Sequence, residues 1–202
     1  MENDKFTTAL NETLSHEGGY SNHPDDRGGE TCKGVSRKNY PEWAGWDIVD
    51  FHRCQNEPNE LGRVLEADAE LQFYVSEFYY DTFWLPLKLD RFDQLVSNEV
   101  FDTAVNQGIY TAATYLQQAL NMLNNNGRYY SDIKVDGHIG AVTIQAYMNY
   151  MATANIQGRS VIKNIHTLVK VLNGLQFERY RKIVTGNPKQ EVFFYGWINR
   201  IA

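Results

Sequence analysis

Three side chains within residues 17–36 have the types and spacing to do chemistry: Glu17, Asp26 and Thr31. Asp26 stands nine positions after Glu17 and Thr31 fourteen, with Gly18-Gly19 and Gly28-Gly29 in the stretch they span. That spacing lets a glutamate at a helix end face an aspartate and a threonine on a following turn or hairpin. Two carboxyl groups held across a groove are what cleavage of a glycosidic bond requires: one donates a proton and the other activates water or attacks. A separation of about 6.5–9.5 Å predicts inversion and about 5–5.5 Å predicts retention, so the stereochemical outcome stays open at this point.

The elements that must position these groups follow from periodicity. Phe6, Leu10 and Leu14 recur every four residues, with Asn3 or Asp4 available as N-cap, and predict a helix of about three turns. Glu17 continues that apolar stripe, and burial there together with the negative end of the helix dipole would raise its pKa. Asp26, in a polar turn, stays ionised, and Thr31 can hold a water from the other side. Turn residues through 20–36 predict an irregular ribbon of two or three strands, the one β element expected. A short helix and a loop follow over 37–58, carrying Trp43 and Trp46, which look exposed although both also suit a core. Further helices are expected over 61–83, 92–107, 111–123, 141–151, 159–184 and 193–198.

Composition narrows the class. The 202 residues carry a formal net charge of −6 and no dense Lys/Arg block, which argues against a nucleic-acid partner. No apolar run approaches eighteen residues, so no membrane span is expected. The N-terminus has no apolar signal segment, and the expectation is a protein made in the cytoplasm that another system releases. Cys32 and Cys54 are expected as reduced thiols. His52-x-Cys54 and His16-Glu17 lack a second pair at ligand spacing, so neither a metal nor another cofactor is expected.

The motif Glu17-Gly18-Gly19-Tyr20, then Asn22-x-Pro24-x-Asp26-x-Gly28-Gly29-x-Thr31-x-x-Gly34-Val35-Ser36, resembles the signature of glycoside hydrolase family 108. That family contains phage endolysins and bacterial secretion-activator muramidases. The resemblance extends to residues 101–108 and to Asp136-Gly137-x-Ile139-Gly140-x-x-Thr143, which is similar to the start of a predicted peptidoglycan-binding helical domain. One departure is His23, where the family commonly carries an acidic residue.

The resemblance implies a mainly α, lysozyme-like helical fold with a small N-terminal β-ribbon. It divides the chain into a catalytic region over 1–95 and a helical region over 96–202 that completes the groove and binds peptidoglycan. It implies hydrolysis of the β-1,4 bond between N-acetylmuramic acid and N-acetylglucosamine, with Glu17 as general acid and Asp26 and Thr31 positioning water. Peptidoglycan glycan strands are then the partner, with a holin or other export system for release and action at the periplasm or cell wall. Tyr20 suits stacking on a sugar or anchoring of the ribbon. Asn106, one turn after Asp102, suits an acetamido contact or bracing of backbone. A lytic transglycosylase and a non-catalytic wall-binding accessory protein are the alternatives.

Overall fold

In the computed structural model, which describes residues 4–15, 19–22 and 29–201, the first helix is α1 (Asp4–Leu14), with Asp4 in its first turn where the helix dipole favours an anion. Phe6, Ala9, Leu10 and Thr13 are buried, while Leu14 is half-buried. The inward face therefore rotates through Thr13 rather than running straight along positions 6, 10 and 14, because 3.6 residues per turn does not keep step with a spacing of four.

Two compact units follow: Leu10–Thr82, and Met1–Ala9 together with Phe83–Ala202. The first holds the ribbon β1 (Tyr20–Ser21), β2 (Thr31–Cys32) and β3 (Val35–Ser36), antiparallel and in that order. Lys33 and Gly34 join β2 to β3 with φ of 49° and 79°, the two positive values that a primed two-residue hairpin demands. Next come α2 (Gly45–Gln55), α3 (Pro58–Ala67) and α4 (Ala69–Tyr79). α2 packs on α3 and α4, and the Tyr79 hydroxyl donates to the Lys33 carbonyl at 2.8 Å, tying α4 to the hairpin.

The helical run expected over 61–83 is thus two helices and a π-helical turn (Tyr80–Trp84), not one helix. Asp68 divides it: its backbone is extended and its carboxylate accepts from the Leu71 amide at 2.8 Å, an N-cap that starts α4. Trp46 is 2 % exposed and bonds the Tyr40 carbonyl, so it is core rather than surface.

The second unit is helical: α5 (Gln94–Gln107), α6 (Ile109–Leu123), α7 (Ala141–Ile156), α8 (Val161–Gly186) and α9 (Glu191–Ile198). α8 packs against α5, α6, α7 and α9 and is the central strut. Gly108, at φ 91°, turns the chain between α5 and α6. The Asp136–Thr143 motif is clamped by Gln117 of α6, itself 1 % exposed. Its carboxamide oxygen accepts from the amides of Asp136 and Gly137, both at 2.9 Å. Its nitrogen donates to Asp136 Oδ1 at 2.9 Å and the His138 carbonyl at 3.0 Å. A β-carbon on Gly137 would fall 2.2 Å from the Tyr110 ring, which accounts for the glycine in that motif.

Among the described residues the fold is nine α-helices and one three-stranded sheet, mainly α with a small N-terminal ribbon, as the sequence led one to expect. No helix among them is long and apolar enough to cross a membrane.

Candidate active site

Glu17 and Asp26 lie outside the described residues, as do His16 and His23. Of the predicted site residues in this segment, the structure describes Tyr20 and Thr31. Tyr20 and Thr31 come together on neighbouring strands, in a register that pairs Tyr20 with Cys32 and Ser21 with Thr31. Thr31 in turn pairs with Ser36 of β3, and Cys32 with Val35.

Because side chains alternate across a strand, this register sorts the ribbon into two rows. Tyr20, Cys32 and Val35 form the inward row; Cys32 and Val35 are 1 % and 0 % exposed. Burial pushes the Cys32 thiol up to about 11, so it stays protonated and is a packing group rather than a nucleophile. Ser21, Thr31 and Ser36 form the other row, three hydroxyls side by side on one face. That row can order water or accept hydrogen bonds from a polyhydroxylated ligand.

The ribbon is held by a set of charges centred on Glu30, whose side chain is only 10 % exposed. The Tyr20 hydroxyl donates to Glu30 Oε1 at 2.8 Å, and Arg53 Nη1 reaches the same oxygen at 3.2 Å. Arg37 Nε pairs with Glu30 Oε2, and the Arg37 amide donates to the Glu30 carbonyl at 2.9 Å. Both arginines also bind Asp50: Arg37 through Nη1 at 3.1 Å and Nη2 at 2.8 Å, Arg53 through Nη2 at 2.8 Å. The Arg37 guanidinium lies 4.2 Å over the Trp46 ring. Two carboxylates and two guanidinium groups neutralise one another, and the residue so fixed is the one immediately before Thr31. Burial first, and then the bond to Glu30, raise the Tyr20 pKa, so the phenol remains a donor. Tyr20 thereby anchors the ribbon through its hydroxyl while its ring stays half-exposed.

Sequence reasoning passed over Glu30, Arg37, Asp50 and Arg53. One signal was available: Asp50 and Arg53 stand three apart on α2, where a helical pair meets.

Asp102 and Asn106 lie on α5 in the other unit, and Arg200 brings them together. Arg200 Nη1 donates to Asn106 Oδ1 at 2.7 Å and lies 3.6 Å from Asp102 Oδ1. The Asn106 side-chain nitrogen turns back to the Asp102 carbonyl at 2.8 Å, and Gln176 Nε2 is 3.5 Å from Asp102 Oδ2. Cys32 and Cys54 are free thiols, and His52 bonds the capping residue Asp68 at 2.8 Å. No group of three potential metal ligands occurs among the described residues.

Comparison with known proteins divides the chain between two families. Residues 10–108 match the model described as glycosyl hydrolase 108, and residues 111–202 match the "Predicted Peptidoglycan domain". Among solved structures, that of Brucella abortus SagA aligns over 98 % of this chain and 90 % of its own, with a TM-score of 0.55 and 21 % identity. At that identity the likeness shows a shared fold. No curated protein matches the chain.

Proposed function

We infer what this chain does from what it belongs to: it is a member of glycosyl hydrolase family 108, followed by a predicted peptidoglycan domain. That makes it a glycoside hydrolase acting on cell-wall peptidoglycan. The finer reading is ours. The bond cleaved is the β-1,4 link between N-acetylmuramic acid and N-acetylglucosamine, which makes the protein a lysozyme-type muramidase. Catalysis belongs to the region over 1–95, and glycan binding is shared by the region over 96–202.

In this reading Glu17 is the general acid. Its carboxyl must hold a proton near neutral pH and give it to the glycosidic oxygen as the bond to the anomeric carbon breaks. Asp26 stays ionised and takes a proton from a water, which Thr31 orients and which attacks the anomeric carbon from the other face. The observation that carries the proposal is the hydroxyl row: Thr31 is half-buried beside Ser21 and Ser36, and its backbone is held by the charges on the neighbouring Glu30, which supports a water-positioning role. Tyr20, Asp102 and Asn106 are each assigned a substrate-binding role, Asn106 through the side-chain N–H that does not bond the Asp102 carbonyl. Endolysin or secretion-activator roles, release by a holin or other export system, and action in the periplasm belong to the same reading.

The test is zymography on purified wall with mass spectrometry of the products. Glu17→Gln should lower lysis at least about 10²-fold, the range expected for loss of a positioned general acid. Wild type should yield reducing muramic-acid ends; 1,6-anhydro ends would reject hydrolysis for a transglycosylase. Reducing N-acetylglucosamine ends would reject the muramidase assignment.

A further inference from the structure

α7 ends in a Schellman motif. Gly158, at φ 62°, follows the helix, and the Arg159 amide reaches back to the Ala154 carbonyl at 2.8 Å. This fixes the backbone of Arg159 beside a cavity of about 360 Å³ lined also by Asn125, Tyr129, Tyr150, Gln157 and Thr167, with two apolar side chains of α6 on one wall.

Arg159 is the only charged residue in that lining. Its guanidinium makes no hydrogen bond or ion pair among the described residues, and its Nε is buried without an acceptor. The carbonyl end of α7 supplies a diffuse negative field but no acceptor at bonding distance. Leaving that Nε–H without an acceptor is costly, because this donor has given up water for nothing. Tyr129 adds a second donor. Gln157 Nε2 donates to the Tyr129 oxygen, so the phenolic proton is left to point elsewhere. Tyr150 closes the floor, its hydroxyl donating to the Asn164 carbonyl at 3.0 Å. Burial raises the Tyr150 pKa, while the nearby Arg159 charge and then the Thr167 hydroxyl draw it back.

We propose that this cavity is a carboxylate site, with Arg159 and Tyr129 as its donors, that receives the peptide stems of peptidoglycan. The proposal deepens the wall-hydrolase reading and rests on it. A guanidinium presents a planar fork matched to a carboxylate. The anionic groups that peptidoglycan itself offers are the carboxylates of its stem peptides. The apolar wall from α6 suits the aliphatic part of such a residue, whereas a phosphate polymer would call for more than one cation.

The experiment is an NMR titration of the full-length chain, following the Arg159 Nε–Hε signal, with a synthetic stem peptide of L-alanine, D-glutamate and diaminopimelate. A saturable shift is expected, with binding weakened at least about tenfold by Arg159→Gln and to the same degree when the carboxylates of the peptide are amidated. The amidated peptide reads the site in wild type even where the variant fails to fold. Sodium acetate should compete only in large excess. Absence of a saturable shift, equal binding by the amidated peptide, or preferential uptake of a glycerol-phosphate polymer overturns the proposal. The peptide contains no glycosidic bond, so lysis by wild type without peptide uptake removes this inference alone. Peptide uptake without lysis removes the muramidase reading alone.

Discussion

Glu30 shows how a side chain that does no chemistry can decide where chemistry happens. Its two oxygens meet Tyr20, Arg37 and Arg53, and the next residue along is Thr31. A search for catalytic carboxylates looks for isolated acids with room for a water, and Glu30 fails that search because it is surrounded by cations. Sequence reasoning therefore reached Thr31 but not what holds it. Glu30→Gln keeps the acceptor for Tyr20 and removes the charge, leaving two guanidinium groups to share Asp50. The expected loss is about 1.5–3 kcal/mol, the range for hydrogen bonds to charged groups, read by urea denaturation, with lysis falling in parallel. Glu178→Gln, which breaks an exposed pair with Arg181, should leave the midpoint where it is. Equal midpoints for wild type and Glu30→Gln would show that the ribbon is held by something else.

Elements were legible where one periodic stripe met clear punctuation, Gly108 after α5 and Asn124 after α6, whereas α7 runs on to Ile156, past the 151 expected. The break between α3 and α4 was missed, although the sequence signals it. Leu65 to Leu71 is six residues, a step that lands about 120° from the stripe at 100° per residue. Every residue across the gap is compatible with a helix, so propensity alone could not reveal the break; the Asp68 cap makes it. That cap has a pH signature. The bond from His52 first, and the Leu71 amide next, hold the Asp68 carboxyl below its ordinary range. A carboxyl with a depressed folded-state pKa stabilises the fold at pH values above its unfolded value, near 4. That contribution fades as pH falls through the folded value. Asp68→Asn retains a capping oxygen but cannot titrate. Melting temperatures measured from pH 6 to pH 2.5 should show wild type above the variant at the upper end, the two curves converging at the lower. A gap that stays constant across the range would mean the charge is not what matters.

At the level of the whole molecule, the chain does not divide as a simple string. Residues 4–9 group with 83–202, although seventy-three residues of the other unit intervene. The reasons are local and physical. Phe6, 5 % exposed, stands edge-on to Trp84 at 5.4 Å and to Phe101 at 6.0 Å. Lys5 Nζ donates to the Phe92 carbonyl at 2.8 Å, and Gln94 Nε2 donates to the Lys5 carbonyl at 2.9 Å. A stripe read from the sequence shows that Phe6 is buried but not against what, because periodicity carries no information about partners distant in the chain. The consequence is a dependence that family boundaries hide, since the matched region begins at residue 10. A protein starting at residue 10 would leave Trp84 and Phe101 facing a void of phenylalanine size and strip two hydrogen bonds from the start of α5. Removing a buried phenylalanine costs about 3–5 kcal/mol, so the truncated chain should melt well below the full one. The single substitution Phe6→Ala should reproduce most of that loss, with near-ultraviolet circular dichroism reporting the loosened Trp84. A truncated chain with an unchanged melting temperature would show that the N-terminal turn is an appendage, not part of the second unit's core.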